Sequence, residues 1–190
     1  MVHKTFNLTT VIQYVLACIS LLALSSCVSF YDVIIEKPAE YKQPIIVESE
    51  FSISGRFFIK TAKKSDYGNF TWDKYENSES LAFRTPIGQT VAQITIESGV
   101  ATLATKDKVY SGEDLDAIMQ RHLGFTLPMN QLHYWIKGVP LPGVPVTHKL
   151  TSGFVQLGWK VEYLQWQDPN HPRVIQCSKE DLVIKLLIDW

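Results

Sequence analysis

From Phe51 onward the chain alternates apolar and polar residues in short runs, and that period of two restricts it to antiparallel β structure. Phe51, Ile53, Gly55, Phe57 and Ile59 fall on one face of a strand, with Ser52, Ser54, Arg56, Phe58 and Lys60 on the other. Successive side chains of a strand point to opposite faces, so a run of this kind buries one face. Polar turns interrupt the pattern at Ala62–Asp66, Lys74–Glu79, Ser98-Gly99 and Lys106–Lys108. The intervening runs are Tyr67–Trp72, Leu81–Arg84, Val91–Glu97, Val100–Thr105 and Val109-Tyr110. Short strands joined by short turns make a meander, since parallel βαβ units need a longer crossover.

The period changes at Ser111. Ser111 and Asp114 resemble a capping box with Asp in place of Glu, and Leu115, Ile118, Met119 and His122 or Leu123 recur at helical spacing up to Gly124. Asn130 is placed to cap a second short helix carrying Leu132, Tyr134, Trp135 and Ile136 and ending at Gly138. Three prolines in Val139–Pro145 make it an extended or turned connection. Phe154–Trp166 then reads as a strand or strand pair broken near Gly158, followed by Val174–Cys177 and an apolar closing strand from Leu182 to Trp190. The expectation is nine or ten strands with two short helices between them.

The N-terminus has the layout of an export signal. Lys4 supplies a short basic head, and Val11–Leu24 is an apolar run too short for a comfortable membrane span. It ends in Leu24-Ser25-Ser26-Cys27, which resembles the bacterial lipobox. Residues 1–26 are therefore expected to be cleaved and Cys27 to carry the lipid anchor, since two or more acyl chains hold a protein stably on a bilayer. Residues 27–50, with Pro38 and Pro44 and no clear periodicity, read as the tether, and 51–190 as the folded domain. Val28 stands where an aspartate would mark inner-membrane retention, so the outer membrane is the expected location.

Cleavage leaves 164 of the 190 residues, enough for one domain with a sizeable core. The whole chain has 18 basic and 19 acidic side chains, which leaves no basic excess to drive nucleic-acid binding. Of its three cysteines, Cys18 leaves with the signal and Cys27 becomes the anchor, so Cys177 has no partner and reads as a small buried apolar residue.

Signatures of chemistry are missing. There is no Gly-x-Ser-x-Gly elbow, P-loop or Gly-x-Gly-x-x-Gly turn, and His122, His133, His148 and His171 lack ligand spacing. No catalytic residue, metal or cofactor is expected, and the protein is read as a non-enzyme and a monomer. What the sequence holds in abundance is large apolar side chains, which either fill an ordinary core or line a cavity in a curved sheet; periodicity cannot separate the two.

One turn is unusual. In Thr85-Pro86-Ile87-Gly88-Gln89-Thr90, proline and glycine supply the turn, yet its tip carries an isoleucine. Such a residue either folds back under the sheet or faces solvent, a membrane or a partner.

Taken together, Ile53-Ser54-Gly55-Arg56-Phe57, Tyr67-Gly68-Asn69-Phe70-Thr71-Trp72, Thr85–Thr90, Leu123-Gly124-x-x-Leu127-Pro128 and Leu132-x-x-Trp135-Ile136-x-Gly138 resemble the LolB family in order and spacing. The likeness runs from Phe51 to Trp190 and includes Leu182–Leu186 and the final tryptophan. It implies a mainly β fold: a curved antiparallel sheet forming a half-open barrel, with an apolar cavity covered by short helices. It also implies a receptor that takes acylated lipoprotein cargo from the periplasmic carrier LolA and inserts it into the inner leaflet of the outer membrane. On this likeness Pro86, Ile87 and Gly88 form the membrane-insertion loop. Phe57, Phe70, Trp72, Leu81, Phe83, Ile94, Leu103, Met119, Trp135, Ile136 and Trp159 are the candidate acyl-chain residues. The competing expectation is a scaffolding outer-membrane lipoprotein with a filled β core.

Overall fold

The computed structural model describes residues 40–44 and 48–190. Lys37–Trp190 forms one compact unit. The strands are β1 (Phe51–Lys60), β2 (Ser65–Lys74), β3 (Ser78–Arg84), β4 (Thr90–Glu97), β5 (Val100–Thr105) and β6 (Val109–Gly112), then β7 (Val146–Leu150), β8 (Gly153–Gln156), β9 (Trp159–Asp168), β10 (His171–Lys179) and β11 (Leu182–Asp189). Between β6 and β7 lie two helices, α1 (Leu115–Leu123) and α2 (Met129–Trp135). All eleven strands form a single antiparallel sheet in the order β6-β5-β4-β3-β2-β1-β11-β10-β9-β8-β7. The edge strands β6 and β7 each have one neighbour, so the sheet does not close on itself.

The apolar closing strand β11 lies beside the central strand β1, paired with it from Ser54↔Asp189 to Lys60↔Val183. β7 is the strand that sequence reading misses. Its Thr147, His148 and Lys149 are all exposed, as suits an edge with no buried face to impose alternation.

β1 and β2 show why two of the motifs carry glycine. Gly55 lies opposite Phe70, and Gly68 opposite Phe57. A Cβ on Gly55 would overlap the Leu187 carbonyl oxygen and come within 3.1 Å of the Phe70 ring; one on Gly68 would overlap the Arg84 carbonyl oxygen and come within 3.1 Å of the Phe57 ring. Each glycine is thus covered by the other strand's aromatic ring, and the neighbouring strands approach more closely than any side chain permits.

The helices fall where their caps dictate. Asp114 Oδ1 accepts a hydrogen bond from Ala117 N at 2.9 Å, and Gly124 closes α1 in the left-handed conformation. α2 is capped by Pro128 without a side-chain hydrogen bond, so Asn130, expected to cap it, lies inside the helix. Met119 of α1 and Leu127, Met129, Leu132, Trp135 and Ile136 in and around α2 join the apolar face of the sheet in one core.

The antiparallel register assigns the turns to two ends of the sheet. Turns 61–64, 85–89, 106–108, 157–158 and 180–181 share one end; turns 75–77, 98–99, 151–152 and 169–170 share the other.

At the second end the chain straps itself down before β1 begins. Tyr41 N donates to Thr151 O at 2.8 Å and its hydroxyl donates to Gly138 O at 3.0 Å. Its ring stacks on Tyr163 at 5.1 Å and meets Phe154 edge-on at 5.7 Å, and Pro44 is buried beside Gly138. Burial pushes the Tyr41 hydroxyl up to about 12.

Candidate functional site

Two features of the sheet bear on function: the tip at Ile87 and the apolar interior beneath the helices. The tip is a tightly bonded hairpin. Gly88 N donates to Thr85 O at 2.9 Å, Thr85 N to Gln89 O at 2.8 Å, and Gln89 N to Thr85 Oγ1 at 3.1 Å. Gly88 has φ +89°, a conformation open to glycine at little cost. Arg84 Nη1 donates to Thr71 Oγ1 at 2.9 Å, tying the hairpin base to β2. On this base Ile87 is 82 % exposed, the most exposed of the large apolar side chains among the described residues. It does not fold back under the sheet.

Phe57, Phe70, Trp72, Leu81, Phe83, Ile94, Leu103, Met119, Trp135, Ile136 and Trp159 all come together in the single core. That core is filled. The free space bounded by Ile59, Phe70, Trp72, Leu81, Phe83, Leu127, Leu132, Ile184 and Leu186 amounts to about 10 Å³, room for at most one water. A larger crevice of about 320 Å³ opens at the Ile87 end. Its apolar walls are Phe57, Ile59, Phe83, Val91, Ala92, Leu123 and Phe125, joined by Lys64, Asp66 and Tyr67 from the start of β2, Arg84 and Thr85 from the hairpin, and His122. The crevice is of ligand size and runs from the base of the tip to the edge of the core.

Three polar fastenings hold α2 and the loop after it over that core, and sequence reading missed all three. Gln156, fully buried on β8, accepts from Trp135 Nε1 at 3.1 Å and from Leu141 N at 2.9 Å through Oε1. Its Nε2 donates to Leu141 O at 3.0 Å and Val144 O at 2.9 Å. Glu79, buried on β3, accepts from Trp72 Nε1 at 2.8 Å and meets His133 Nε2 of α2 at 2.7 Å. Tyr163 donates from its hydroxyl to Trp135 O at 3.0 Å. A signal existed for two of them: Glu79 is in phase with Leu81 and Phe83, and Gln156 with Phe154, so both polar residues fall on the inward face.

α1 is held more lightly, burying only Met119, while His122 in its last turn stacks on Tyr110 with centroids 3.5 Å apart. Lys137, 7 % exposed, donates from Nζ to Glu48 O at 2.7 Å and lies 5.4 Å from the Phe51 ring centroid. Burial, then Lys74, lowers its pKa, partly offset by Glu48.

The sole cysteine among the described residues, Cys177, is buried and unpaired, and burial pushes its thiol far up. No group of His, Cys, Asp and Glu that could hold a metal ion occurs among the described residues. Cys27, the expected cleaved segment 1–26, and residues 27–39 and 45–47 of the expected tether lie outside the described residues. No helix among the described residues is long and apolar enough to cross a membrane.

A family model described as outer membrane lipoprotein LolB matches residues 49–190. Curated relatives carry the name outer-membrane lipoprotein LolB. The Chromobacterium violaceum protein is 28% identical over 143 residues, covering 74% of this chain and 79% of its own. That of Azoarcus sp. is 26% identical over 185 residues and 92% of each chain, and that of Neisseria meningitidis is 29% identical over 146 residues, 76% of this chain and 75% of its own. The match takes in β1 to β11, both helices, the exposed tip and the filled interior: the chain belongs to the LolB family of outer membrane lipoproteins.

Proposed function

We propose that this protein is the outer-membrane receptor for lipoproteins, taking their acyl chains from the periplasmic carrier LolA into its apolar interior and passing them to the bilayer. Cys27 is the lipid anchor, and Ile87 is the side chain that enters the membrane. The observation that carries this reading is Ile87 itself, 82 % exposed on a hydrogen-bonded hairpin beside an apolar crevice leading to the core.

Energetics support a passive route. At about 0.8 kcal/mol per buried methylene, exposing one long acyl chain to water costs on the order of 10 kcal/mol. Each step must keep the chain covered, from carrier to crevice to interior to bilayer. With free space of about 10 Å³ in the core, the cargo has to displace α1 and α2 as it enters, exchanging one apolar contact for another. Glu79, Gln156 and Tyr163 then bring α2 back to one resting position.

Delivery tests the tip. Ile87→Glu should fold normally and accept cargo from LolA but fail to transfer it to liposomes, whereas Ile87→Leu should transfer normally. Membrane burial of the isoleucine is worth about 1.5–3 kcal/mol, so transfer should slow at least tenfold. Unimpaired transfer by Ile87→Glu removes the tip from the mechanism. The filled core is also what a scaffolding lipoprotein would have. An apolar fluorescent probe binding one-to-one to the folded domain decides for the receptor, and failure to bind any such probe decides for the scaffold.

A further inference from the structure

We propose that the end of the sheet carrying Ile87 is a cationic docking face for anionic phospholipid headgroups, with Lys63, Lys106 and Lys108 as its contacts. This rests on the reading that Ile87 meets a bilayer. The β1–β2, β3–β4 and β5–β6 turns all lie at this end, on every second strand of the order β6-β5-β4-β3-β2-β1. Neighbouring strands are about 4.8 Å apart, so the turns follow one another at roughly 10 Å, with Ile87 on the middle one. Lys63 and Lys64 occupy one flanking turn, Lys106 and Lys108 the other with Asp107 between them, and all four lysines are exposed; Glu180 and Asp181 stand farther along the same end, in the β10–β11 turn. Lys64 pairs with Asp66 at 2.8 Å; the other three enter no ion pair among the described residues.

Each turn also presents an apolar surface. Tyr67 follows the first and is 64 % exposed, Val91 follows the second, and Val109, 67 % exposed, follows the third. The opposite end is richer in acid: Glu76 and Glu97 flank its turns and Glu113, Asp114 and Asp116 follow β6 there, all exposed, against Lys74 and Lys149. In a chain with a formal net charge of −1, this is a segregation of charge along the strands.

Lysines interspersed with isolated apolar and aromatic tips are what a headgroup layer takes up, since the cations stay at the phosphates while the tips sink past them. A protein partner would instead require one contiguous, shape-matched patch. Three separate tips about 10 Å apart suit a fluid surface.

The compact unit Lys37–Trp190 contains every buried residue of the described chain, carries its own core, and can be tested free of the residues before it. Its binding to vesicles of phosphatidylcholine alone, and with about 30% phosphatidylglycerol, is measured by co-sedimentation at low and high salt. At about fivefold per lysine, the triple variant Lys63→Gln, Lys106→Gln, Lys108→Gln should lose roughly a hundredfold in affinity for the anionic vesicles. It should bind neutral vesicles as the parent does and melt at the same temperature. High salt should reproduce that loss in the parent protein. Equal binding of the parent to both vesicle types overturns the proposal. So does a triple variant that keeps its anionic-vesicle binding but loses binding to LolA, which would assign the lysines to a protein partner. Ile87→Ser should weaken binding to both compositions while leaving the charge preference intact. If it weakens neither, the bilayer reading of the tip fails separately.

Discussion

Replacing Gln156 by leucine should loosen the cover of the core more than any other single polar substitution. The amide is fully buried and makes four hydrogen bonds: to the Trp135 indole, to both the N–H and the carbonyl of Leu141, and to the Val144 carbonyl. Leucine keeps similar volume and leaves all four partners behind. A buried polar group without a partner costs about 1–3 kcal/mol. Leu141 and Val144 are half-buried on a loop, so part of that cost returns as they turn to water. The sum is about 3–5 kcal/mol, a large share of a total stability of roughly 5–15 kcal/mol. For a domain of this size that is a fall in Tm of roughly 6–20 °C. Urea unfolding should show a lower midpoint with an unchanged m-value, since the area exposed on unfolding stays the same. Gln156→Glu sharpens the test. A carboxylate can still accept from Trp135 and Leu141 N but faces two carbonyls with no proton to offer. Its stability should therefore recover partly as the group is protonated in acid, while that of Gln156→Leu should not. A loss below about 1 kcal/mol for Gln156→Leu would refute this account of how α2 is fastened.

Gly68→Ala should cost about 3 kcal/mol or more by overpacking, because its Cβ would overlap the Arg84 carbonyl oxygen and force β2 from β3; the urea midpoint measures it. In the β9–β10 turn, the Asn170 N–H, then the His171 ring, hold the Asp168 carboxyl below the ordinary carboxylate range. Because the folded pKa is lowered, its stabilising effect is present above the unfolded value and is lost as pH falls from about 4 through the folded value. The difference in Tm between the parent and Asp168→Asn should therefore narrow on acidification below about pH 4. Cys177 should resist maleimide in the native state and react on unfolding, since burial keeps its thiol protonated; rapid labelling of folded protein would show that the core opens at β10.

Much of the sheet was legible because alternation survives wherever one face is buried. β1, β4 and β5 follow almost residue by residue, while β2 and β3 extend into the expected polar turns, to Ser65 and Lys74 and back to Ser78. β7 was not legible, since a short edge strand with three consecutive exposed residues has no period to read. The helices were found by spacing, yet the N-terminus of α2 was misjudged because Asn130 looked like a cap while Pro128 held that position. The exposed tip could be picked out as an odd residue in a turn, but only coordinates show that Ile87 points outward. Whether apolar residues line a hollow or fill it depends on how two helices pack against a curved sheet, and no local pattern encodes that. The polar fastenings escaped because Glu79 and Gln156 look like surface residues until the phase of their strands is followed.

The strap at Tyr41 sets a limit on reach. It fixes the chain at the end of the sheet away from Ile87, leaving 14 steps along the backbone from Cys27 to Tyr41. Whatever conformation those residues take, their contour cannot exceed about 50 Å. A ten-residue strand such as β1 spans about 33 Å. If Cys27 is the anchor, a leash of that contour exceeds the length of such a strand by only about 17 Å. Under the proposed function the domain is a short arm, able to press its tip into the membrane that holds it and unable to reach far beyond. Deleting a handful of residues between Cys27 and Tyr41 would leave the anchor, the core and the tip all intact, and the tip out of range.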